Sequence, residues 1–148
     1  MTVTLRKVTN DTFRKCIELE VREDQKHFVA SNMFSLAEAQ ADDVSNPRAI
    51  YADEQMVGFI MYDFEPEEDR GHITRLMVAA EHQRNGYGRA AMQQVIDLFK
   101  ANPDCKEIIT SVVPENVAAS GLYASLGFVP TGEVDEGETV LRMGFKDR

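Results

Sequence analysis

Gln83-Arg84-Asn85-Gly86-Tyr87-Gly88 is the part of this sequence best equipped to do chemistry. Glycine lacks a Cβ, so Gly86 and Gly88 let successive backbone N–H groups turn toward one point. An amphipathic run begins at Tyr87, which places the turn at a helix start. There the unpaired N–H groups and the partial positive charge suit a phosphate or pyrophosphate. Arg84 and Arg89 flank the turn and can add positive charge. The same residues also fit a plainer role, a tight strand-to-helix turn that needs two glycines. The segment lacks both the three-glycine dinucleotide fingerprint and the lysine of a Walker loop. A Gly86→Val change is expected to crowd the turn.

A second constellation runs from Asn116 to Phe128, Asn-Val-Ala-Ala-Ser-Gly-Leu-Tyr-Ala-Ser-Leu-Gly-Phe. Asn116 follows Pro114 and a strand-like run, so its amide can cap a helix or contact a ligand. Ser120 and Tyr123 stand three apart and share one helical face. Taken alone, Tyr123 reads as an amphipathic residue at the margin of a core.

The elements that position these segments follow from periodicity. Val3, Leu5 and Lys7-Val8 alternate as an opening strand. Asn10 or Asp11 is the expected cap of a first helix whose apolar face carries Phe13, Cys16, Ile17 and Leu19. Ser35, with Glu38 three residues on, reads as the capping box of a second helix from Leu36 to about Val44. Two strands, 49–52 and 56–64, are joined by Asp53-Glu54-Gln55, and 65–69 is an acidic loop. A strand over 72–78 leads into the glycine turn and a helix over 87–100, with Ala91, Met92, Val95, Ile96 and Phe99 on one face. A strand over 107–113, a helix over 118–125 and closing strands over 128–131 and 139–145 complete a mixed α/β sheet. No repeat or long linker interrupts residues 1–148, so one domain is expected.

Composition narrows the partners. The 16 basic and 25 acidic side chains give a net charge of −9, with 43% hydrophobic and 28% charged residues. Nucleic acid needs clustered Lys and Arg and is not an expected partner. An acidic surface keeps the protein soluble and also attracts cationic ligands. The charged, alternating start does not read as a signal peptide, and no apolar run is long enough for a bilayer. Cys16 and Cys105 form neither a metal spacing nor a disulfide framework, so no metal is expected and a reduced cytoplasmic setting is.

Taken together, Gln83-x-x-Gly86-x-Gly88 and, roughly thirty residues later, Asn116-x-x-Ala119-x-x-Leu122-Tyr123-x-x-x-Gly127-Phe128 resemble the GNAT family of N-acetyltransferases. The element order matches over almost the whole chain. The resemblance implies a mixed, mostly antiparallel sheet of about seven strands flanked by about four helices. It implies acetyl-coenzyme A as the donor, with the backbone of Leu76, Met77 and Val78 along its pantetheine arm. Arg84, Asn85, Gly86, Tyr87, Gly88 and Arg89 would hold the pyrophosphate, and Asn116 and Ser120 would assist. Tyr123 matches the family position that gives a proton to the departing thiolate. Some members carry a glutamate base eleven positions before the motif glutamine. Here His72 stands there, with Glu20 or Glu23 as other carriers of the proton and a surface role for His72 equally open.

The outer segments resemble the spermine/spermidine acetyltransferase branch in Leu19-Glu20-Val21 with Gln25 and Phe28-Val29-Ala30, in Val57-Gly58-Phe59-Ile60-Met61-Tyr62 and in Gly132-Glu133-Val134-Asp135-Glu136-Gly137-Glu138. Carboxylates spaced along a groove can match a polyamine's separated charges. Glu20, Glu23, Asp24, Glu133 and Glu138 are candidates, with Asp63 and Glu65 behind them. Acetyl transfer to another small amine, a peptide N-terminus or an amino sugar, is the alternative. A non-catalytic acetyl-coenzyme A-binding module is a third reading. Related enzymes are often dimers, so a homodimer is an expectation of the same resemblance.

Overall fold

The computed structural model describes residues 1–146 and 148. Strands β1 (Val3–Lys7), β2 (Asn46–Ala52), β3 (Gln55–Glu65), β4 (Arg70–Val78), β5 (Glu107–Val112), β6 (Val129–Asp135) and β7 (Glu138–Gly144) form one sheet in the order β1-β2-β3-β4-β5-β7-β6. Helices α1 (Phe13–Glu18), α2 (Asn32–Asp42), α3 (Tyr87–Lys100) and α4 (Val117–Leu126) flank it. Every neighbouring pair is antiparallel except β4 with β5. This is the expected mixed sheet, with the expected element order. Among the described residues, no helix is long and apolar enough to cross a membrane.

The apolar run of β2 and β3 is continuous because both faces of the sheet are covered. Alternate side chains feed two cores, as the period of two demands. Ile50, Ile60 and Tyr62 pack with Ala91, Met92, Val95, Ile96 and Phe99 of α3. Ala49, Phe59 and Met61 pack on the other side with Cys16 and Leu19, at the first helix, and Ala39 of α2. Gly71 lets α3 lie flat on β4, since a Cβ there would come within 2.7 Å of the Phe99 ring.

Three expectations about helix and loop ends are corrected. The second helix begins at Asn32, capped by Ser31, whose hydroxyl accepts from the Phe34 N–H at 3.1 Å. Ser35 lies inside the helix and is buried, and Glu38 reaches across to Arg75. Two serines four apart offer the same cap signal, and packing of Ser35 against the core decided between them. At the first helix the cap position is Thr12 rather than Asn10 or Asp11, and its hydroxyl accepts from the Thr9 N–H at 2.8 Å. Glu65 is the end of β3, held by Arg70 at 3.0 Å, rather than part of a free acidic loop.

Candidate active-site cleft

A cleft of about 770 Å³ opens where two strands part. β4 and β5 pair only over Arg70–Ile73 and Glu107–Thr110. β4 stays paired with β3 on its other side up to Val78, while β5 continues on β7. The backbone of Leu76, Met77 and Val78 therefore presents an unpaired edge toward β5, a place where an extended ligand can complete the ladder. Thr110 closes the fork, its buried hydroxyl donating to the Ile73 carbonyl at 2.9 Å. This threonine sits unmarked in an apolar run, and nothing in its spacing announces the role.

The glycine turn forms one end of the cleft. Arg84 (φ 67°) and Gly86 (φ 80°) both adopt the left-handed conformation, which swings the chain into α3. Gly86 caps that helix without any side-chain hydrogen bond, which leaves the first-turn N–H groups without a side-chain partner, the arrangement that suits an anion. No atom lies within 4 Å of where a Gly86 Cβ would stand. Crowding is therefore not what requires glycine there; the positive φ is. Gly88 faces Leu76 and Val78 across the cleft. Arg84, Tyr87 and Arg89 line the cleft. Arg89 donates to the Ser125 hydroxyl at 2.7 Å, fixing α3 to α4. Asn85 is not among the lining residues; its amide donates to the His82 and Gln83 carbonyls and so shapes the turn.

Opposite lies α4. Asn116 caps it, its side-chain oxygen accepting from the Ala119 N–H at 3.3 Å. The amide NH₂ of Asn116 is thereby turned away from the helix, and the residue lines the cleft. Ser120 does not line it. Tyr123 does, and it is buried with only 6% of its surface exposed. Burial pushes its phenol up to about 12, with the nearby Glu138 charge adding to the shift. The hydroxyl is thus held protonated throughout the neutral range.

The far end of the cleft gathers the connection between α1 and α2, the middle of β4 and the β6–β7 hairpin. Glu136 (φ 50°) and Gly137 (φ 83°) form the two-residue turn of that hairpin, both in the left-handed region such turns require. Glu136 and Glu138 line the cleft, and Glu138 accepts from the Ser111 hydroxyl at 2.9 Å. Two arginines also line this end, and each has an acidic neighbour. Arg22 pairs with Asp24 at 3.3 Å and Arg75 with Glu38 at 3.3 Å. No cation pairs with Glu136 or Glu138 among the described residues, so these two leave the field at this end negative.

Several sequence candidates lie elsewhere. Glu20 and Glu23 pair with Lys26 on the surface at 3.3 and 3.0 Å, Asp24 holds Arg22, and Glu133 is exposed on β6. None of these four lines the cleft. His72 does not line it either, because its Nδ1 turns to Glu65 at 3.2 Å. With Asp63, whose carboxyl burial pushes up against the opposing effect of His72, these side chains form a separate cluster. Gln25, Ser111 and Glu136 were not singled out from sequence as site residues. Gln25 carried a signal in the branch-like segment after Leu19-Glu20-Val21, and Glu136 in the Glu-Gly pair between two alternating runs; Ser111 carried none.

With this geometry in place, relatives become informative. The acetyltransferase (GNAT) family profile matches residues 5–128. The spermine/spermidine N(1)-acetyltransferase of Bacillus subtilis (strain 168) is 29% identical, over 95% of this chain and 97% of its own length. The fold superposes on the spermidine N-acetyltransferase from Vibrio cholerae, crystallised with CoA and spermine, with a TM-score of 0.75 at 20% identity, covering 97% of this chain and 94% of that one. It also superposes on the aminoglycoside acetyltransferase AAC(6')-Ib crystallised with coenzyme A, with a TM-score of 0.80 at 18% identity, covering 97% and 95%. The chain belongs to the acetyltransferase (GNAT) family.

Proposed function

We propose that this protein transfers the acetyl group of acetyl-coenzyme A to a primary amine of a polyamine such as spermidine or spermine. The observation that carries this reading is the continuity of one cleft. It joins a helix start with no side-chain cap and an unpaired strand edge to a protonated tyrosine and two carboxylates that have no cationic partner among the described residues. The named activity of the Bacillus subtilis relative, matched over nearly the full length of both chains, supports the same acceptor.

The residues present fit the donor. The first-turn N–H groups of α3, with Arg84 and Arg89, suit its pyrophosphate. The open edge from Leu76 to Val78 and the free amide of Asn116 suit its amide-bearing arm. When bound, acetyl-coenzyme A supplies a thioester whose carbonyl carbon forms the new C–N bond as its C–S bond breaks. A backbone N–H of the β4 edge meets the negative charge that develops on the carbonyl oxygen. Tyr123 gives its proton to the leaving sulfur and regains one through solvent from the reacting nitrogen. Glu138, held by Ser111, and Glu136 receive the ammonium groups of the acceptor. An amine with a pKa of about 10.4 is mostly protonated at neutral pH, so the loss of that proton governs how much can react. His72, turned away toward Glu65, is given no part in this step.

The test is thiol release against a panel of amines. Spermidine and spermine should give the highest kcat/KM, and acetylated polyamine should appear in equal amount to free thiol. Turnover of an amino sugar or a peptide N-terminus with none of polyamines would replace this acceptor reading.

A further inference from the structure

Two glutamines connect the ends of this cleft. Gln25 closes a single 3₁₀ turn, Glu23–Gln25, in the connection between α1 and α2. Gln83 opens the phosphate turn, 58 residues later. Their amides pair reciprocally, with Gln83 Nε2 donating to Gln25 Oε1 at 2.8 Å and Gln25 Nε2 donating to Gln83 Oε1 at 3.3 Å. The pair is part-buried. Gln83 Nε2 also donates to the Val78 carbonyl at 3.0 Å, and Gln25 Oε1 also accepts from the Arg22 N–H at 3.1 Å.

Those outer partners fix the polarity of the whole chain. A carbonyl can only accept, so Gln83 must present its NH₂ to Val78. A backbone N–H can only donate, so Gln25 must present its oxygen to Arg22. Only a side chain with both a donor and an acceptor fits either position. A continuous hydrogen-bonded line therefore runs from the last residue of β4, through the amide pair, into the backbone of the α1–α2 connection.

What lies beyond Gln25 matters for the acceptor. Residues 27–30 belong to no helix or strand, and they line the cleft. The Phe28 N–H donates to the Gln25 carbonyl at 2.9 Å. The Lys26 ion pairs with Glu20 and Glu23 are exposed and so hold this segment weakly. A backbone bond from Ala80 N–H to the Glu20 carbonyl, 2.9 Å, secures the chain upstream, and Val29 packs on the core beside Cys16 and Leu19, so Gln25 anchors the start of the 26–30 segment.

We infer that Gln83 and Gln25 are positioning residues that couple occupancy of the phosphate turn to the order of the acceptor loop 26–30. This rests on the donor part of the proposed function, not on the identity of the amine. A ligand that fixes the turn fixes Gln83, and Gln83 fixes the loop. Coupling of this kind between two sites is reciprocal and is commonly about 5- to 150-fold in affinity.

Hydrogen exchange on the full chain, with coenzyme A alone as the probe, reads the relay directly. In the wild type, coenzyme A should slow exchange of the amides of residues 26–30 by at least about fivefold. Gln25→Ala and Gln83→Leu should still bind coenzyme A by calorimetry while losing that protection. They should raise the KM for the amine with a smaller change in kcat. Gln25→Ala leaves the bond from Gln83 to Val78 intact, so it serves if Gln83→Leu fails to fold. Equal protection in wild type and variants would overturn the relay, as would a wild type that binds coenzyme A without any change in the loop. Failure of the wild type to bind coenzyme A would sink the donor reading and the relay together. Loop protection combined with a negative polyamine screen would uphold the relay and remove only the acceptor.

Discussion

The two ends of the cleft are built in different ways. The donor end is made of backbone: the unpaired edge of β4 and the first-turn N–H groups of α3, with Gly86 setting the path between them. Its partners lie within one stretch of chain from Leu76 to Arg89, helped by Asn116. The acceptor end is made of side chains from four separate segments: the α1–α2 connection, β4, β5 and the β6–β7 hairpin. Backbone groups bind whatever phosphate and amide chemistry arrives, almost regardless of residue type. Side chains select charge and shape. The difference teaches that this fold can keep its donor while changing its acceptor, and that substitutions at the two ends should fail in different ways.

Tyr123 stands between the ends, and its loss should have the largest effect. Tyr123→Phe keeps the ring packed against Phe128 but removes the proton, so kcat should fall by about 10²-fold or more with both KM values little changed. The pH profile sharpens this. Because the phenol is raised to about 12, it stays protonated below its unfolded value near 10, and loses its proton only as pH climbs through about 12. Between pH 7 and 9 the rate should rise with amine deprotonation, in wild type and variant alike. A slope that vanished in the variant would make Tyr123 the base instead of the acid.

Glu138→Gln addresses the acceptor end and also removes a charge that helps raise the Tyr123 phenol, while leaving the donor end untouched. Losing one charge-assisted contact costs about 1.5–3 kcal/mol. The KM for the polyamine should therefore rise roughly 10- to 100-fold while coenzyme A affinity, measured by calorimetry, stays unchanged. If donor affinity fell in parallel, the two ends would not be separable. Gly86→Val is the converse. A β-branched residue at φ 80° costs about 1–3 kcal/mol, so coenzyme A should bind roughly tenfold more weakly, with the amine's affinity for the loaded enzyme little altered. Since nothing lies near that Cβ, Gly86→Ala should show a milder form of the same loss.

This contrast also explains what could be read from the residues in advance. Gly86 and Asn116 are legible because backbone geometry demands particular residue types at fixed local spacing. The order of elements was legible for a similar reason, through periodicity and turn residues. The acceptor end was not. Glu20, Glu23 and Asp24 have the right charge, but Lys26 and Arg22 take them up on the surface. His72 has the right offset from the motif, but Glu65, at the end of a longer β3 than expected, draws it aside. Whether a carboxylate faces a ligand or a lysine depends on three-dimensional neighbours, which no spacing in one chain records. Gln25 and Gln83 meet only because the chain folds 58 residues back on itself.

The smallest expected effect tests the selectivity of the acceptor end most sharply. Glu133 and Glu138 stand five positions apart on one hairpin and carry the same charge. Glu133 lies on β6, where every residue is exposed, and the pairing of β6 with β7 is interrupted between Pro130 and Val134. Glu138 is tied to Ser111 inside the cleft. At an exposed site, solvent and salt screen a single charge to a few tenths of a kcal/mol. Glu133→Gln should therefore leave the polyamine KM within about twofold of wild type at physiological salt. Raising the salt should erase even that difference, while the effect of Glu138→Gln should persist. Matching losses at both positions would mean that the acceptor is held by the diffuse negative field of the whole hairpin, and that the cleft's own carboxylates have no special part in choosing it.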